Sequence, residues 1–279
     1  MAPSRAGRAS LSPALLRLLA LDFDGVISDS APEAFAVALL TYTNMRPNSS
    51  FRKRRDQLED DRLPRASELT ADPLYDSFVE MMPLGNRAED YAVIFSALEV
   101  SKPIVDQASY DSFRSELDDQ WLQSFHVHFY ENRISLSTRD AEGWRRLMGP
   151  YSQLLPVLAR RSGDAVLAIA TAKDRRSVGM LLRDYGIEDL FPNGRVLDKE
   201  TGVHKDSHLR HLHRTLGVDY SEMTFVDDKV NHLETVAELG VRCALASWGY
   251  NGEREVALAR DRGYLICTLE EVESQLFGS

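Results

Sequence analysis

Two aspartates two positions apart, Asp22 and Asp24, close an apolar run and are followed at once by Gly25 in the stretch DFDGVISDS. In extended backbone, residues i and i+2 share a side. A turn permitted by the glycine lets the first carboxylate face a phosphorus atom while the second reaches the ester oxygen. That arrangement suits Asp22 to act as nucleophile and Asp24 as acid and base. Thr171 follows the run AVLAIA, Lys205 precedes the segment DSHLRHL, and Asp227 with Asp228 follows MTFV. Several carboxylates converging on one point repel one another unless a cation neutralises them, and an all-oxygen set of this size favours magnesium. A hydroxyl and an ammonium at the same point are suited to phosphoryl oxygens.

Taken alone, Asp-x-Asp-Gly is also an ordinary polar turn after a strand. A calcium loop starting at Asp22 fails: Gly25 comes too early, Val26 replaces a ligand, and no helix precedes.

The elements needed to gather these groups are legible further along the chain. From residue 164 onward, short β-rich runs alternate with helical patterns, as in a parallel α/β sheet. AVLAIAT, MTFVDD, VRCALA and YLICTL read as buried strands, and LLALDF supplies the first. The helix DRRSVGMLLRDYG has Asp174 as a candidate N-cap and Gly186 as its stop; DSHLRHLHRTLG ends at Gly217 and NHLETVAELG at Gly240. Ligands of an open parallel sheet bind beyond the carboxyl ends of its strands, where the acids, Thr171 and Lys205 lie. The expected fold is a doubly wound parallel α/β sheet. Residues 14–31 and 161–279 form its core, after a disordered tail over 1–13. Residues 32–160, written as helix-length segments with no alternating strands, form a mostly helical inserted domain.

Composition narrows the function classes. The 279 residues are 43% hydrophobic, enough for a substantial core. Lys and Arg number 33 against 43 Asp and Glu, a formal net charge of -10, which disfavours nucleic acid and anionic membrane as partners. The basic run Arg52–Arg55 is followed by Asp56, Glu59, Asp60 and Asp61 and reads as a solvated helix face. Two cysteines, Cys243 and Cys267, make no disulfide framework and suit a reducing cytoplasm. Arg5, Arg8 and Arg17 among serines imitate a transit peptide, but the apolar run leads straight into the Asp22 motif, and cleavage there would remove a strand.

DFDGVISDS, ATAKD, HKDSHLRHL and FVDDKVNHLE, in this order and with a helical insert after the first, resemble the four motifs of the haloacid dehalogenase superfamily. The phosphatase branch with a helical cap is the nearer likeness, and ALASWGYNGERE and GYLICTLEEV are similar to tail segments of phosphoglycolate phosphatase-like members. The resemblance implies that Asp22 attacks phosphorus to give an aspartyl-phosphate, and that Asp24 protonates the leaving oxygen and then activates water. It implies magnesium held by Asp22, the backbone carbonyl of Asp24 and an acid of the fourth motif. Here Asp228 is favoured as the direct ligand and Asp227 as its supporter, an order that could be reversed, with Asn231 as an outer partner. Thr171, the adjoining Ala172 and Lys205 would hold the phosphoryl oxygens. Val26 stands where many members have threonine, and His232 stands where a second acid of the fourth motif is common. Asp24 argues against carbon dehalogenation, which does not need it. The cap lysines Lys53 and Lys102 lie in no context suited to a Schiff-base phosphonate hydrolase.

Other groups are set aside. His204, His208, His211 and His213 cluster beside Lys205 without a carboxylate or thiol to complete a zinc site. His126 and His128 read as packing or surface residues, and Trp121, Phe125, Phe129 and Tyr130 as a core stripe. Lys173 is a secondary phosphate contact or the start of a helix, and Trp248 and Tyr250 shape the cleft or are simply buried. The expectation is a magnesium-dependent phosphoric monoester hydrolase acting on a small phosphorylated metabolite in the cytoplasm. A phosphomutase or a non-catalytic phospho-ligand-binding protein is the alternative, and substrate and oligomeric state are left open.

Overall fold

A computed structural model describes residues 18–278 except 60, 61, 86, 193 and 203. The expected tail over 1–13 and the first residues of the core, 14–17, lie outside the described residues. The strands in chain order are β1 (Leu18–Leu21), β2 (Ser28–Asp29), β3 (Gly149–Pro150), β4 (Val166–Ala170), β5 (Val196–Leu197), β6 (Met223–Asp227), β7 (Arg242–Ala246) and β8 (Leu265–Cys267). Six of them form one sheet in the order β5-β4-β1-β6-β7-β8, parallel throughout. Leu19 and Leu21 point into one apolar cluster, Leu18 and Ala20 into the other. Helices cover both faces, so strand residues of either parity must be apolar, which is why these strands read as continuous runs.

The chain moves outward from β1 through β4 to β5, then restarts beside β1 with β6 and proceeds the other way. The carboxyl ends of β4, β1 and β6 therefore flank a switch point, where diverging connections leave a crevice. Leu21 stands opposite both Ile169 and Val226, so the residues following these three strands emerge at nearly one level.

The helices of this half match their sequence signals. Asp174 accepts a hydrogen bond from the Ser177 amide at 2.9 Å and caps helix Arg175–Asp184. Helix Lys205–Leu216 stops at Gly217, whose φ of +64° is the left-handed geometry that glycine adopts without cost. The two-residue edge strand β5 was not anticipated, because so short a run carries no periodicity.

Between β2 and β3 lies a helical insert that includes Ala31–Met45, Pro73–Met81, Ala88–Glu99, Asp119–Arg139 and Ala141–Arg146. Its interior is aromatic: Phe35 meets Phe78 and Phe95 at centroid distances of 5.4 and 5.9 Å. The segment that reads as one helix from Tyr110 to Arg133 is two, Gln107–Ser115 and Asp119–Arg139, because Asp118 caps a new start by accepting from the Gln120 amide at 2.8 Å. The basic run lies on helix Arg52–Glu59, where Arg54 pairs with Asp72.

The chain leaves and re-enters the sheet domain through an antiparallel ribbon, Ser28 opposite Pro150 and Asp29 opposite Gly149. Helix Leu154–Arg161 packs against the last helix, Val272–Phe277, in the sheet domain. We propose that the insert ends at this ribbon, ahead of the boundary expected at residue 160, with helix Leu154–Arg161 belonging to the core. Among the described residues no helix is long and apolar enough to cross a membrane.

Candidate active site

Asp22 directly follows β1, and its amide donates to the Val226 carbonyl at 2.9 Å, so the sheet ladder continues through the residue that carries the carboxylate. The chain then folds back tightly: the amides of Ile27 and Ser28 both donate to the Phe23 carbonyl at 2.9 Å. Gly25, at the turn, has a φ of +81°, and a Cβ there would lie 2.4 Å from Oδ2 of Asp228. Both the backbone conformation and the approach of β6's acid therefore require glycine. On the other side, a Cβ on Gly249 would lie 2.3 Å from Asp228 Cβ and 2.4 Å from the Gly25 carbonyl oxygen. Asp228 is thus held between two glycine backbones, and the need for Gly249 carried no signal in the sequence.

Lys205, the first residue of its helix, is 3% exposed, and its ammonium lies 2.6 Å from Asp22 Oδ1 and 3.4 Å from Asp227 Oδ2 while donating to the Ala170 carbonyl at 2.8 Å. Lys173, also buried, places its ammonium 3.0 and 3.3 Å from the two oxygens of Asp24. Ser30 Oγ donates to Asp24 at 2.6 Å. The two lysines sort the two acids: Lys205 neutralises the Asp22 side and Lys173 the Asp24 side. Thr171 is buried at the end of β4, and its Oγ1 accepts from the Lys173 amide at 3.2 Å. Asp22, Asp24, Thr171, Ala172, Lys205 and Asp228 all line one cleft of about 150 Å³. Asp227 is fully buried beneath it.

No protein-family model matches the sequence, and no curated protein matches it. Solved structures do. A haloacid dehalogenase-like hydrolase from Streptococcus pneumoniae is similar at 14% identity and a TM-score of 0.59, with 92% of this chain and 96% of that one covered. A predicted phosphoglycolate phosphatase from Haemophilus somnus is similar at 16% identity and 0.60, over 92% and 96%. A predicted phosphatase from Clostridium acetobutylicum is similar at 12% identity and 0.57, over 94% and 98%. The chain has the haloacid dehalogenase-like fold.

Within this fold the electrostatics of the four acids differ. Burial pushes the Asp22 carboxyl above its ordinary range; Lys205 pulls it back, and the charge of Asp227 adds to the rise. Burial and the Asp227 charge together hold Asp228 well above that range. Burial also acts on Asp24 and Asp227, but there it is outweighed: Lys173, Ser30 and Arg133 hold Asp24 low, and His232 and Lys205 hold Asp227 low. Four carboxylates thus meet two ammonium groups in direct contact, leaving Asp22 and Asp228 undercompensated.

That imbalance is the test of fit for a metal, and the residues pass it. The acids offer oxygen donors, the set suited to a hard divalent cation. Asp22, Asp227 and His232 also converge, with ligand atoms within 4.8 Å of one another. This second grouping already contains the Lys205 ammonium between its two acids, and its imidazole Nδ1 is engaged with Asp227 at 3.1 and 3.2 Å. Asp228 borders the cleft and, among the described residues, has no side-chain cation in contact.

Several residues named from the sequence make contacts that carried no signal there. The Tyr250 amide donates to Asp228 Oδ2 at 2.9 Å, and its hydroxyl accepts from the Ser30 amide at 2.5 Å, so one residue ties the metal-side acid to the serine that orients Asp24. His232 takes the place of the expected second acid by binding Asp227. Phe129 and Tyr130, assigned to a core stripe, line the cleft together with Met82, Tyr91 and Arg133 of the insert. Only Phe129 of that pair is buried, because the stripe runs past the edge of the insert's interior and over the crevice. The clustered histidines do not assemble: His208 Nε2 faces the Gly202 carbonyl at 2.9 Å, and His213 Nδ1 faces the Val218 carbonyl at 2.8 Å. Burial, with the nearby Lys205 charge, pushes His208 down to about 4, which keeps it neutral.

Proposed function

We propose that the chain is a magnesium-dependent phosphomonoester hydrolase that works through an aspartyl-phosphate on Asp22. The observation that supports this most strongly is the convergence of Asp22, Asp24, Thr171 and Asp228, drawn from three adjacent strand ends, and of Lys205, from a helix start, on one small cleft. A carboxylate oxygen of Asp22 attacks phosphorus, and the bond from phosphorus to the ester oxygen breaks. Asp24 gives its proton to that departing oxygen. It then takes a proton from water, whose oxygen attacks phosphorus and breaks the bond to Asp22, releasing inorganic phosphate. Thr171, the Ala172 backbone and Lys205 hold the phosphoryl oxygens, and Lys205 neutralises the charge that builds there.

The carboxylates of Asp22 and Asp228 and the backbone carbonyl of Asp24 would hold magnesium, with Asp227 supporting through Lys205. What magnesium supplies when bound is neutralisation of phosphoryl charge, which lets the anionic nucleophile approach an anionic ester. In the free protein Lys173 keeps Asp24 ionised. A dianionic ester arriving beside it favours the protonated form, which readies Asp24 as an acid.

The insert serves as a cap that walls the cleft with Tyr91, Phe129, Tyr130 and Arg133. Lys229 joins cap and core by donating to the Gly85 carbonyl at 2.5 Å, so closure over the ester would exclude water. A small phosphorylated metabolite in the cytoplasm is the proposed substrate, and the two free, buried cysteines suit that reducing compartment.

Phosphate release from a panel of simple phosphomonoesters, with and without magnesium, tests the proposal. Turnover should require magnesium and fall by at least about 10³-fold in Asp22→Asn. Transfer of the phosphoryl group to a second hydroxyl without release would indicate a mutase instead. Ligand binding that survives Asp24→Asn, with no turnover by either protein, would indicate a binding role.

A further inference from the structure

Beside the catalytic cleft lies a larger cavity of about 510 Å³, between helices Asp119–Arg139 and Ala141–Arg146 of the insert and helix Arg175–Asp184 of the core. Tyr130 and Arg133 line both spaces and form their common wall. The cleft, at about 150 Å³, has room for a phosphoryl group and the first atoms of an ester. The neighbouring cavity is on the scale of small-ligand sites, roughly 300–1,000 Å³.

Its lining has two characters. Ile134, Trp144 and Met180 supply apolar and flat surface. Ile134 is 66% exposed although it is a large hydrophobic residue on the insert's longest helix. The charged lining is almost wholly basic: Arg133, Arg145, Arg176 and Lys199 against Asp174 alone. Arg133 is committed to Glu33, Arg145 to Asp184 at 3.4 Å, and Asp174 to its capping bond. Arg176 and Lys199 have no carboxylate partner among the described residues, and the Lys199 ammonium rests 4.0 Å from the centroid of the Tyr130 ring.

We infer that this cavity receives the leaving group of the substrate, and that this group is a flat, largely apolar ring bearing a second negative charge. The inference rests on the phosphomonoester reading and names the substrate class that reading leaves open. Asp24, which must touch the departing oxygen, lines the cleft together with Tyr130 and Arg133, the two residues that also border the larger cavity, so a group departing on that side meets the cavity's edge. Beyond that edge, the Trp144 rim, Ile134 and Met180 offer apolar surface for a ring, and Arg176 and Lys199, neither held by a carboxylate among the described residues, offer cations for an anion.

Ethyl, benzyl and para-carboxybenzyl phosphate test this, since all three release an alkoxide and differ only in what must be accommodated. We expect kcat/KM to rise about tenfold from ethyl to benzyl through ring burial. A further rise of about tenfold to the carboxylated ester is expected from the charge-assisted contacts. Met180→Trp, which fills the cavity, should erase the benzyl-to-ethyl ratio. Lys199→Gln combined with Arg176→Gln should erase the carboxybenzyl-to-benzyl ratio. Equal rates for the three esters, or ratios untouched by these variants, would overturn the inference while leaving the phosphatase reading intact. Should no ester be hydrolysed, the phosphatase reading fails instead. Calorimetric titration of Asp22→Asn with para-carboxybenzyl phosphate then decides separately: binding weakened about tenfold by the cavity variants supports the site, and unchanged binding refutes it.

Discussion

Replacing Glu33 by Gln removes one charge from the place where the insert is held to its own longest helix. Glu33 is fully buried on helix Ala31–Met45 and accepts from Arg133 Nε at 2.7 Å, from Arg133 Nη2 at 2.5 Å and from Trp144 Nε1 at 2.9 Å. Burial pushes its carboxyl up, but Arg133 and these hydrogen bonds outweigh that and hold it below its ordinary range. The amide keeps one acceptor oxygen, so it can satisfy Trp144 or one guanidinium N–H. Arg133, whose side chain is only 17% exposed, is left with no carboxylate in direct contact among the described residues, Asp24 acting on it only from a distance. Breaking a buried pair by removing one partner costs about 3–5 kcal/mol, and the partial exposure of Arg133 toward the cleft sets the expectation at the low end, about 3 kcal/mol.

With a urea m value of about 3 kcal/mol per M for a chain of this size, the midpoint should fall by about 1 M. The double variant Glu33→Gln, Arg133→Met should recover most of the loss, because it leaves no unpaired charge. Glu33 has a depressed folded-state pKa, so its contribution is present above the unfolded value near 4.5 and disappears as pH falls through the folded value. The gap between wild type and Glu33→Gln should therefore hold at neutral pH and close only at acid pH. A loss under about 1 kcal/mol, or a double variant no better than the single one, would refute this account of the pair.

Three further outcomes are expected. Gly249→Ala must displace either Asp228 or the Gly25 carbonyl, so it should lower both magnesium affinity and turnover by at least about tenfold, measured by calorimetry and phosphate release. Burial holds the Asp22 and Asp228 carboxyls above their ordinary range, so protons compete with the metal as pH falls; calorimetric magnesium affinity should weaken steadily as the solution is acidified, and a flat profile would argue against these ligands. Lys173→Met removes the cation that holds Asp24 down, so the alkaline limb of the kcat/KM profile, where Asp24 must still carry the proton it gives to the leaving oxygen, should move to higher pH; a lower rate with an unmoved limb would assign Lys173 to phosphate alone.

Much of the site was legible because its chemistry sits at strand ends, where local pattern is informative. The run to Leu21, the acids after it, Thr171 after β4 and the pair after β6 are each defined by a few adjacent residues. Gly25 announces a turn, and Asp174 and Gly217 announce helix ends, through conformational preferences that act within one or two residues. The order of strands and acids, and the charge logic requiring a cation, likewise follow from residue types alone. Amino-acid sequence by itself thus determined the strand-end acids, the parallel α/β core and the presence of a helical insert.

Tertiary structure decided which groups pair and what lies above them. The division of labour between Lys205 and Lys173, the reach of Tyr250 from Asp228 to Ser30, and the clamp of Gly249 on Asp228 join residues far apart in sequence. The assignment of Phe129 and Tyr130 to the cleft and the second cavity behind Arg133 depend on how the insert is set over the sheet. A helical stripe looks the same whether it faces a core or a crevice, since periodicity records which residues are apolar and not what they meet. Contact between distant segments is fixed only when both faces are packed, and that information resides in the assembled chain.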